Sequence, residues 1–332
     1  MTVNRQWRLA RRPEGQISDE HFALIKQAAP EPGDGEALIR VRYLSMDPTI
    51  RGWMERDTYL PRIREGEIIR GLGLGEVVTS RSGLYPQGAL VSGLTGWQEW
   101  AVADEGRHRM QVLPDGTDPV DAVGLFGPTG LAAYFGLLEV GRPSAGETVL
   151  VSGAAGATGS VVGQIAKIQG CRVVGTAGSD EKCAIVVDEY GFDACINYRT
   201  EDLWPRIRQT CPDGVDVFFD NVGGDVLEVA LNNLALRARV VICGAISQYD
   251  ATGPRGPRNY MQLVVRRARM EGFLVFDYTS RYPEAIAELG RWAAEGRIRQ
   301  RIDIVDGFEH VPVAFMRLFT GDNIGKNAVR LS

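Results

Sequence analysis

Thr148 to Ala177 reads TVLVSGAAGATGSVVGQIAKIQGCRVVGTA, and the order of its parts decides the fold. Val149 to Ser152 is a short apolar run with the length and β-branched content of a buried strand, and three glycines follow at Gly153, Gly156 and Gly159. From Ser160 to Gln169 the side chains of Val161, Val162, Ile165 and Ile168 recur at helical spacing. Gly170 ends that element, and Cys171 to Ala177 reads as a second buried strand. Strand, glycine turn, helix and strand make a βαβ unit. Small residues at its first turn let the backbone approach a pyrophosphate, and free N–H groups at the helix N-terminus favour the anion. The G-x-G-x-x-G spacing is nearly met: with Gly156 and Gly159 in its last two glycine positions, Ala154 holds the first and Gly153 precedes it.

The tip of the second strand selects the dinucleotide. A site for NAD places Asp or Glu about 20 residues on, to hold the ribose 2′-hydroxyl. Here the strand ends in Thr176, Ala177, Gly178 and Ser179 with no acid at its tip, and Lys182 lies three residues further on. A hydroxyl and an ammonium attract a 2′-phosphate that a carboxylate would repel, so the expected dinucleotide is NADPH.

Downstream, helix Asp180 to Tyr190, strand Ala194 to Tyr198, helix Glu201 to Cys211 and strand Val215 to Asp220 continue the alternation of an α/β, doubly wound parallel sheet. Ligands in such sheets bind at the carboxyl ends of the strands. The turn Asn221 to Gly224 after the fourth strand, and Gly244 to Tyr249 after a fifth strand at Arg239 to Cys243, should therefore face the cofactor. A sixth strand, Arg269 to Phe276, and a helix, Tyr282 to Glu295, complete a Rossmann domain.

Upstream, from Arg5 to about Leu125, the pattern changes to short strand-like runs at Ala37 to Tyr43, Gly71 to Val78, Ala89 to Ser92 and Trp97 to Val102, which predicts a compact, mostly antiparallel domain. Between the first two runs a strand stops at Asp47 and Pro48 and a short helical turn begins. Gly127 to Gly130 (GPTG) opens an apolar helix, Leu131 to Leu138. Ile302 to Ser332 returns to short strands around an amphipathic helix, Val313 to Phe319. This tail is expected to rejoin the first domain, because six strands already fill a Rossmann sheet.

A chain of 332 residues exceeds the size of a single core, so two domains are expected. The net charge of −5 leaves no electrostatic footprint for nucleic acid, and no basic run points to a lipid surface. The uncharged stretches Ala122 to Leu138 and Thr148 to Ala166 carry too many Gly and Pro turn signals to span a membrane. The basic N-terminus lacks the apolar stretch of a signal peptide, so a cytoplasmic location is expected. Cys171, Cys183, Cys195, Cys211 and Cys243 show no C-x-x-C spacing, and His21, His108 and His310 are scattered; reduced structural thiols and no metal site are expected.

Together with the βαβ stretch, the segments AGSDEK (177–182), FDNVGG (219–224), CGAISQY (243–249), RMEGF (269–273) and GDNIGK (321–326) resemble the zinc-free medium-chain dehydrogenase/reductases, in particular their prostaglandin reductase and curcumin reductase group. The likeness covers nearly the whole chain. It implies a GroES-like, mostly β catalytic domain over residues 1–125 and 303–332, and a Rossmann NADPH-binding domain over 126–302. It also implies a homodimer, and reduction of a carbon–carbon double bond conjugated to a carbonyl in a small-molecule substrate. By matching motif, Ala155, Gly156, Ala157 and Thr158 would sit on the pyrophosphate, and Lys182 with Tyr198 would hold the 2′-phosphate. Asn221, then Cys243, Gly244, Ala245, Ile246, Ser247, Gln248 and Tyr249, then Phe273, Leu274 and Val275, with Asn323 from the tail, would line the rest of the cofactor.

Two departures bear on the substrate. Where many relatives read D-P-Y-M-R-G, Asp47 to Gly52 reads DPTIRG, so Thr49 stands in place of a phenol. Where they read G-M-P/T-G-L-T-A-Y-F, Gly127 to Phe135 reads GPTGLAAYF, so Ala132 stands in place of a threonine. The cofactor assignment is untouched by either. Hydride transfer leaves charge on the carbonyl oxygen, which needs a hydrogen-bond donor. The nicotinamide ribose 2′-hydroxyl and a tyrosine are the expected donors, with Tyr59, Tyr249 and Tyr260 as candidates. Trp53, Tyr59, Trp97, Phe276 and Tyr278 are either an apolar pocket or core. Two alternatives stay open: a quinone reductase on the same cofactor site, and a non-catalytic NADPH-binding sensor, which the loss of a phenol at Thr49 favours.

Overall fold

The computed structural model describes residues 2–106, 108–249, 253 and 255–331. The chain divides into two units: Met1–Val123, Asp303–Asn323 and Asn327–Ser332 form one, Gly124–Ile302 and Ile324–Lys326 the other.

The first unit opens with an antiparallel pair, β1 (Val3–Leu9) and β2 (Phe22–Ala28). β2 is buried only at Phe22, which is why no alternation marks it in the sequence. β3 (Glu36–Ser45) buries Ala37, Ile39 and Val41 on one face, the period-2 pattern of a half-buried strand. It ends before Asp47 and Pro48, and α1 (Thr49–Glu55) follows. Next come β4 (Gly73–Ser80), β5 (Leu90–Gly93), β6 (Trp100–Asp104), β7 (Gln111–Val112) and α2 (Pro119–Val123).

The second unit starts with α3 (Pro128–Phe135), three residues earlier than the sequence pattern places it, because Pro128 occupies a first-turn position where no N–H is needed; a π-helical turn, Gly136–Gly141, extends it. Then follow β8 (Thr148–Val151), α4 (Ala157–Ile168), β9 (Arg172–Ala177), α5 (Asp180–Asp188), β10 (Ala194–Asn197), α6 (Leu203–Thr210), β11 (Val215–Asp220), α7 (Gly224–Asn232), β12 (Leu234–Ile242), α8 (Gln262–Arg266), β13 (Arg269–Gly272) and α9 (Tyr282–Ala294). The six strands lie in the order β10-β9-β8-β11-β12-β13, every pair parallel. That is the doubly wound order of a Rossmann sheet, with its reversal between β8 and β11. Adjacent residues face opposite layers. Val149, Val151, Val173, Phe219 and Val241 pack with α4 and α9, while Leu150, Val174, Phe218 and Val240 pack with α6 and α7.

Two further elements differ from expectation. The sixth strand stops at Gly272, not Phe276, because its neighbour β12 ends at Ile242, opposite Gly272, and offers no further partner. The fifth strand starts at Leu234, ahead of Arg239, directly after α7, an element the sequence reading did not separate.

The chain then returns to the first unit as β14 (Ile302–Asp306), α10 (Val311–Thr320) and β15 (Lys326–Arg330). β15 pairs antiparallel with β3, completing a seven-stranded sheet in the order β14-β15-β3-β4-β5-β7 with β6 on β3. Phe315 of α10 meets Trp97 edge-on at 5.2 Å in a core that also holds Leu9, Ile39 and Trp53. Trp53 and Trp97 are thus core residues, and Tyr278 stacks on Phe135 at 4.6 Å.

Candidate active site

The glycine turn after β8 shows why its pattern is shifted by one residue. Gly153 carries the positive φ, +63°, that the turn requires, one position before the usual first glycine. Ala154 is fully buried, its N–H donates to the Thr176 carbonyl at 3.0 Å, and its methyl group occupies space that Gly175 leaves open. Gly159 lets α4 lie against the turn: a Cβ there would stand 2.3 Å from the Gly153 carbonyl oxygen. At the start of α4 the Ser160 N–H reaches the Gly156 carbonyl and Ala157 adjoins the Gly156–Gly325 bridge, while the N–H groups of Thr158 and Gly159 have no acceptor among the described residues. Two unsatisfied amides and the positive end of a 12-residue helix converge there, which fits a dinucleotide pyrophosphate. From the C-terminal tail, the Gly325 N–H donates to the Ala155 carbonyl at 2.8 Å. Asn323 lies two residues before Gly325 in the chain.

Two further strand ends adjoin this turn. Asp220, 1% exposed at the end of β11, accepts from the Ser152 hydroxyl (2.7 Å) and from the N–H groups of Val222 and Gly223 (both 3.0 Å). Burial raises its pKa above the usual carboxylate range, and those donors oppose the rise. The Asn221 side chain donates to the Ser152 carbonyl at 2.8 Å, tying β11 to β8. The segment after β12 is laced onto the same turn: the Cys243 and Gly244 N–H groups bond the Asp220 carbonyl, Ile246 bonds Asn221, and Ser247 bonds Val222. The Tyr249 hydroxyl accepts from the Ala245 N–H at 3.3 Å. Burial pushes the Cys243 thiol up to about 12, so it is a neutral packing group. Phe273, just beyond β13, meets Phe219 edge-on at 6.4 Å, and the Val275 carbonyl accepts from the Tyr282 hydroxyl at 3.1 Å.

At the tip of β9, Ser179 caps α5 by accepting from the Lys182 N–H at 3.2 Å. A Cβ at Gly178 would stand 2.7 Å from the Tyr198 hydroxyl and 3.4 Å from the Arg199 Nε. Phenol and guanidinium therefore crowd the strand tip that the sequence leaves without an acid. The sequence reading missed Arg199, Ser152 and Asp220. The signals were present: a second cation beside Tyr198, and polar residues ending two strands that otherwise read as apolar.

The three candidate tyrosines are differently placed. Tyr249 stands in the segment after β12, where its hydroxyl accepts from the Ala245 N–H. Tyr260 lies in the turn before α8 and is 59% exposed. Tyr59 belongs to the first unit, where its hydroxyl lies 3.2 Å from the Thr49 Oγ1 and its ring meets Trp53 edge-on at 6.1 Å. Thr49, the residue that replaces a phenol, thus contacts a phenol supplied by another position. Burial raises the Tyr59 pKa above the ordinary phenol value, and the Thr49 hydrogen bond acts against that rise. Ala132 is half-buried on α3. Among the described residues no group of three or more His, Cys, Asp or Glu side chains could hold a metal ion, and no helix is long and apolar enough to cross a membrane.

Comparison with known proteins places this geometry. Residues 5–112 match the profile described as the N-terminal domain of oxidoreductase, and residues 157–291 the profile described as zinc-binding dehydrogenase. Prostaglandin reductase 1 of Rattus norvegicus is 40% identical, with 99% of this chain and 100% of the relative covered. The NADP(+)-dependent 2-alkenal reductase of Nicotiana tabacum is 39% identical, covering 93% and 90%. The crystal structure of CurA from Vibrio vulnificus in complex with NADPH superposes with a TM-score of 0.93 at 40% identity, over 99% of both chains. The chain belongs to the medium-chain dehydrogenase/reductases, in the group that holds the prostaglandin, curcumin and alkenal reductases.

Proposed function

We propose that the chain is an NADPH-dependent, zinc-independent reductase that transfers hydride to the β-carbon of an α,β-unsaturated ketone or aldehyde. The observation that carries this reading is the strand-end cradle, in which two amides without acceptors stand at the start of α4, Tyr198 and Arg199 crowd the tip of β9, and Lys182 stands in the first turn of α5 that follows it. NADPH supplies the hydride when bound. The chain's residues bind the pyrophosphate at Ala155 to Gly159, attract the 2′-phosphate at Lys182 and Tyr198, and line the rest of the cofactor with Asn221, Cys243 to Tyr249, Phe273 to Val275 and Asn323. Residues 1–125 and 303–332 form the GroES-like catalytic domain in this reading, and 126–302 the Rossmann domain.

Charge that develops on the substrate's carbonyl oxygen is met by a tyrosine hydroxyl. Tyr59 is the first choice, because Thr49 and the surrounding burial set its proton affinity; Tyr249 and Tyr260 are the others. In this reading the protein is cytoplasmic and a homodimer; the dimer fits the exposed apolar side chains of Tyr260, Met261, Val264 and Val265, which lie just before β13, an edge strand paired only with β12 among the described residues. Following NADPH absorbance against enones, alkenals and quinones tests the reading. Consumption with enones and alkenals is expected. Consumption with quinones alone, or tight NADPH binding without turnover, overturns it.

A further inference from the structure

Beside Tyr59 the first unit carries a guanidinium that the proposed reaction does not use. Arg70 is half-buried, and its guanidinium carbon lies 5.7 Å from the centroid of the Trp53 ring, which itself meets Tyr59 edge-on. Arg70 donates one hydrogen bond, from Nη1 to the Pro61 carbonyl at 2.8 Å, and has no ion pair among the described residues. Glu67, the carboxylate that affects it most, instead accepts the Arg64 N–H at its Oε2 (2.9 Å). Asp47, the acid that acts on Tyr59, is buried and accepts from the Ser45 hydroxyl at 2.6 Å. Elsewhere Arg51, Arg239 and Arg317, buried or half-buried, each reach a carboxylate.

A permanently charged group taken partly out of water without a counter-ion is a cost that an incoming anion removes. Burial is the leading cause that draws the Arg70 pKa below the usual arginine value. The planar fork retains unused N–H donors, the geometry that grips a carboxylate. Tyr59, an exposed aromatic side chain backed by the buried Trp53, gives the flanking surface an apolar character suited to the carbon chain of the same molecule.

We propose that Arg70 is a specificity-determining residue that binds a carboxylate on the substrate, so that the preferred acceptors are enones carrying an anionic group rather than neutral ones. This rests on the enone-reductase reading for the identity of the ligand, but the subsite is testable without turnover. The probes are 4-phenylbutanoate and its methyl ester, neither of which has a double bond to reduce, titrated calorimetrically into NADP-loaded protein. The acid should bind about tenfold more tightly than the ester, the advantage of one charge-assisted contact. Arg70→Met should bring that ratio to about one, Arg70→Lys should restore part of it, and added salt should narrow it. An acid-to-ester ratio that is equal in wild type and Arg70→Met, or a wild-type preference for the ester, overturns the proposal. Turnover is a separate measurement: an enone acid and its ester both left unreduced would strike the proposed function, whereas the calorimetric ratio judges Arg70.

Discussion

Gly159→Ala adds a single methyl group where the dinucleotide turn and α4 come closest. The new carbon would stand 2.3 Å from the Gly153 carbonyl oxygen, 2.9 Å from its carbonyl carbon and 3.0 Å from the Ala154 Cα, where ordinary contact begins at 3.4 Å. All three neighbours are backbone atoms, so no rotamer change relieves the clash, and the helix must part from the turn by about 1 Å. Overpacking of this kind costs about 1–3 kcal/mol. The same displacement carries the Thr158 and Gly159 N–H groups away from the positions proposed for the pyrophosphate. Losing one charge-assisted hydrogen bond of about 1.5–3 kcal/mol should raise the NADPH Kd by about 10- to 100-fold. The assays are urea unfolding of the free protein and NADPH fluorescence titration. Gly83→Ala is the control, since a Cβ there meets nothing within 4 Å and should change stability by less than about 0.5 kcal/mol. Gly156→Ala, which meets only the Gly153 oxygen at 3.2 Å, should destabilise less than Gly159→Ala. Wild-type Kd and wild-type unfolding midpoint in Gly159→Ala would refute the reasoning.

Lys182→Met should weaken NADPH binding while leaving NADH binding nearly unchanged, lowering the NADPH-to-NADH preference about tenfold or more; an unchanged ratio of the two Kd values would remove Lys182 from the 2′-phosphate site. Thr49→Val removes the hydrogen bond that opposes the raised Tyr59 pKa, so the alkaline limb of the kcat profile should move to higher pH, and Tyr59→Phe should abolish that limb. A limb in the same place in all three proteins would dismiss Tyr59. Burial pushes the Glu147 pKa up, but the Arg239 guanidinium and the Ser144 N–H outweigh it and leave it depressed. Its contribution to stability is therefore full above the ordinary glutamate value, about 4.3, and lost as pH falls through the depressed folded value. Glu147→Gln should cost about 1–3 kcal/mol at pH 7, and its unfolding curve should converge on that of wild type under acid conditions.

The dinucleotide turn was legible because each of its glycines has a local steric reason: a positive φ at Gly153 and backbone contact at Gly159. The parallel sheet was legible for a similar cause, since continuous apolar runs such as Val149 to Val151 are what a sheet covered on both faces demands. What escaped the reading depends on tertiary partners. β2 is exposed along most of its length, and its alternation is invisible because only pairing with β1 fixes it. The end of β13 is set by where β12 stops, a fact about another segment. Asp220 reads as one more residue in FDNVGG, and its role as acceptor for Ser152, Val222 and Gly223 emerges only once β8 and β11 lie side by side. Arg199 was passed over because Tyr198 alone matched the expected motif, although both approach Gly178. Thr49 suggested a missing phenol, and only the fold brings Tyr59 to its hydroxyl.

The central claim, that hydride goes to the carbon β to a carbonyl, is tested most directly by isotope. NADPH carrying deuterium at C4 of the nicotinamide, incubated with the protein and trans-4-phenyl-3-buten-2-one, should yield the saturated ketone with deuterium on the carbon bearing the phenyl ring, read by NMR of the product. Deuterium on the carbonyl carbon, giving an allylic alcohol, or no deuterium transfer at all, would contradict it.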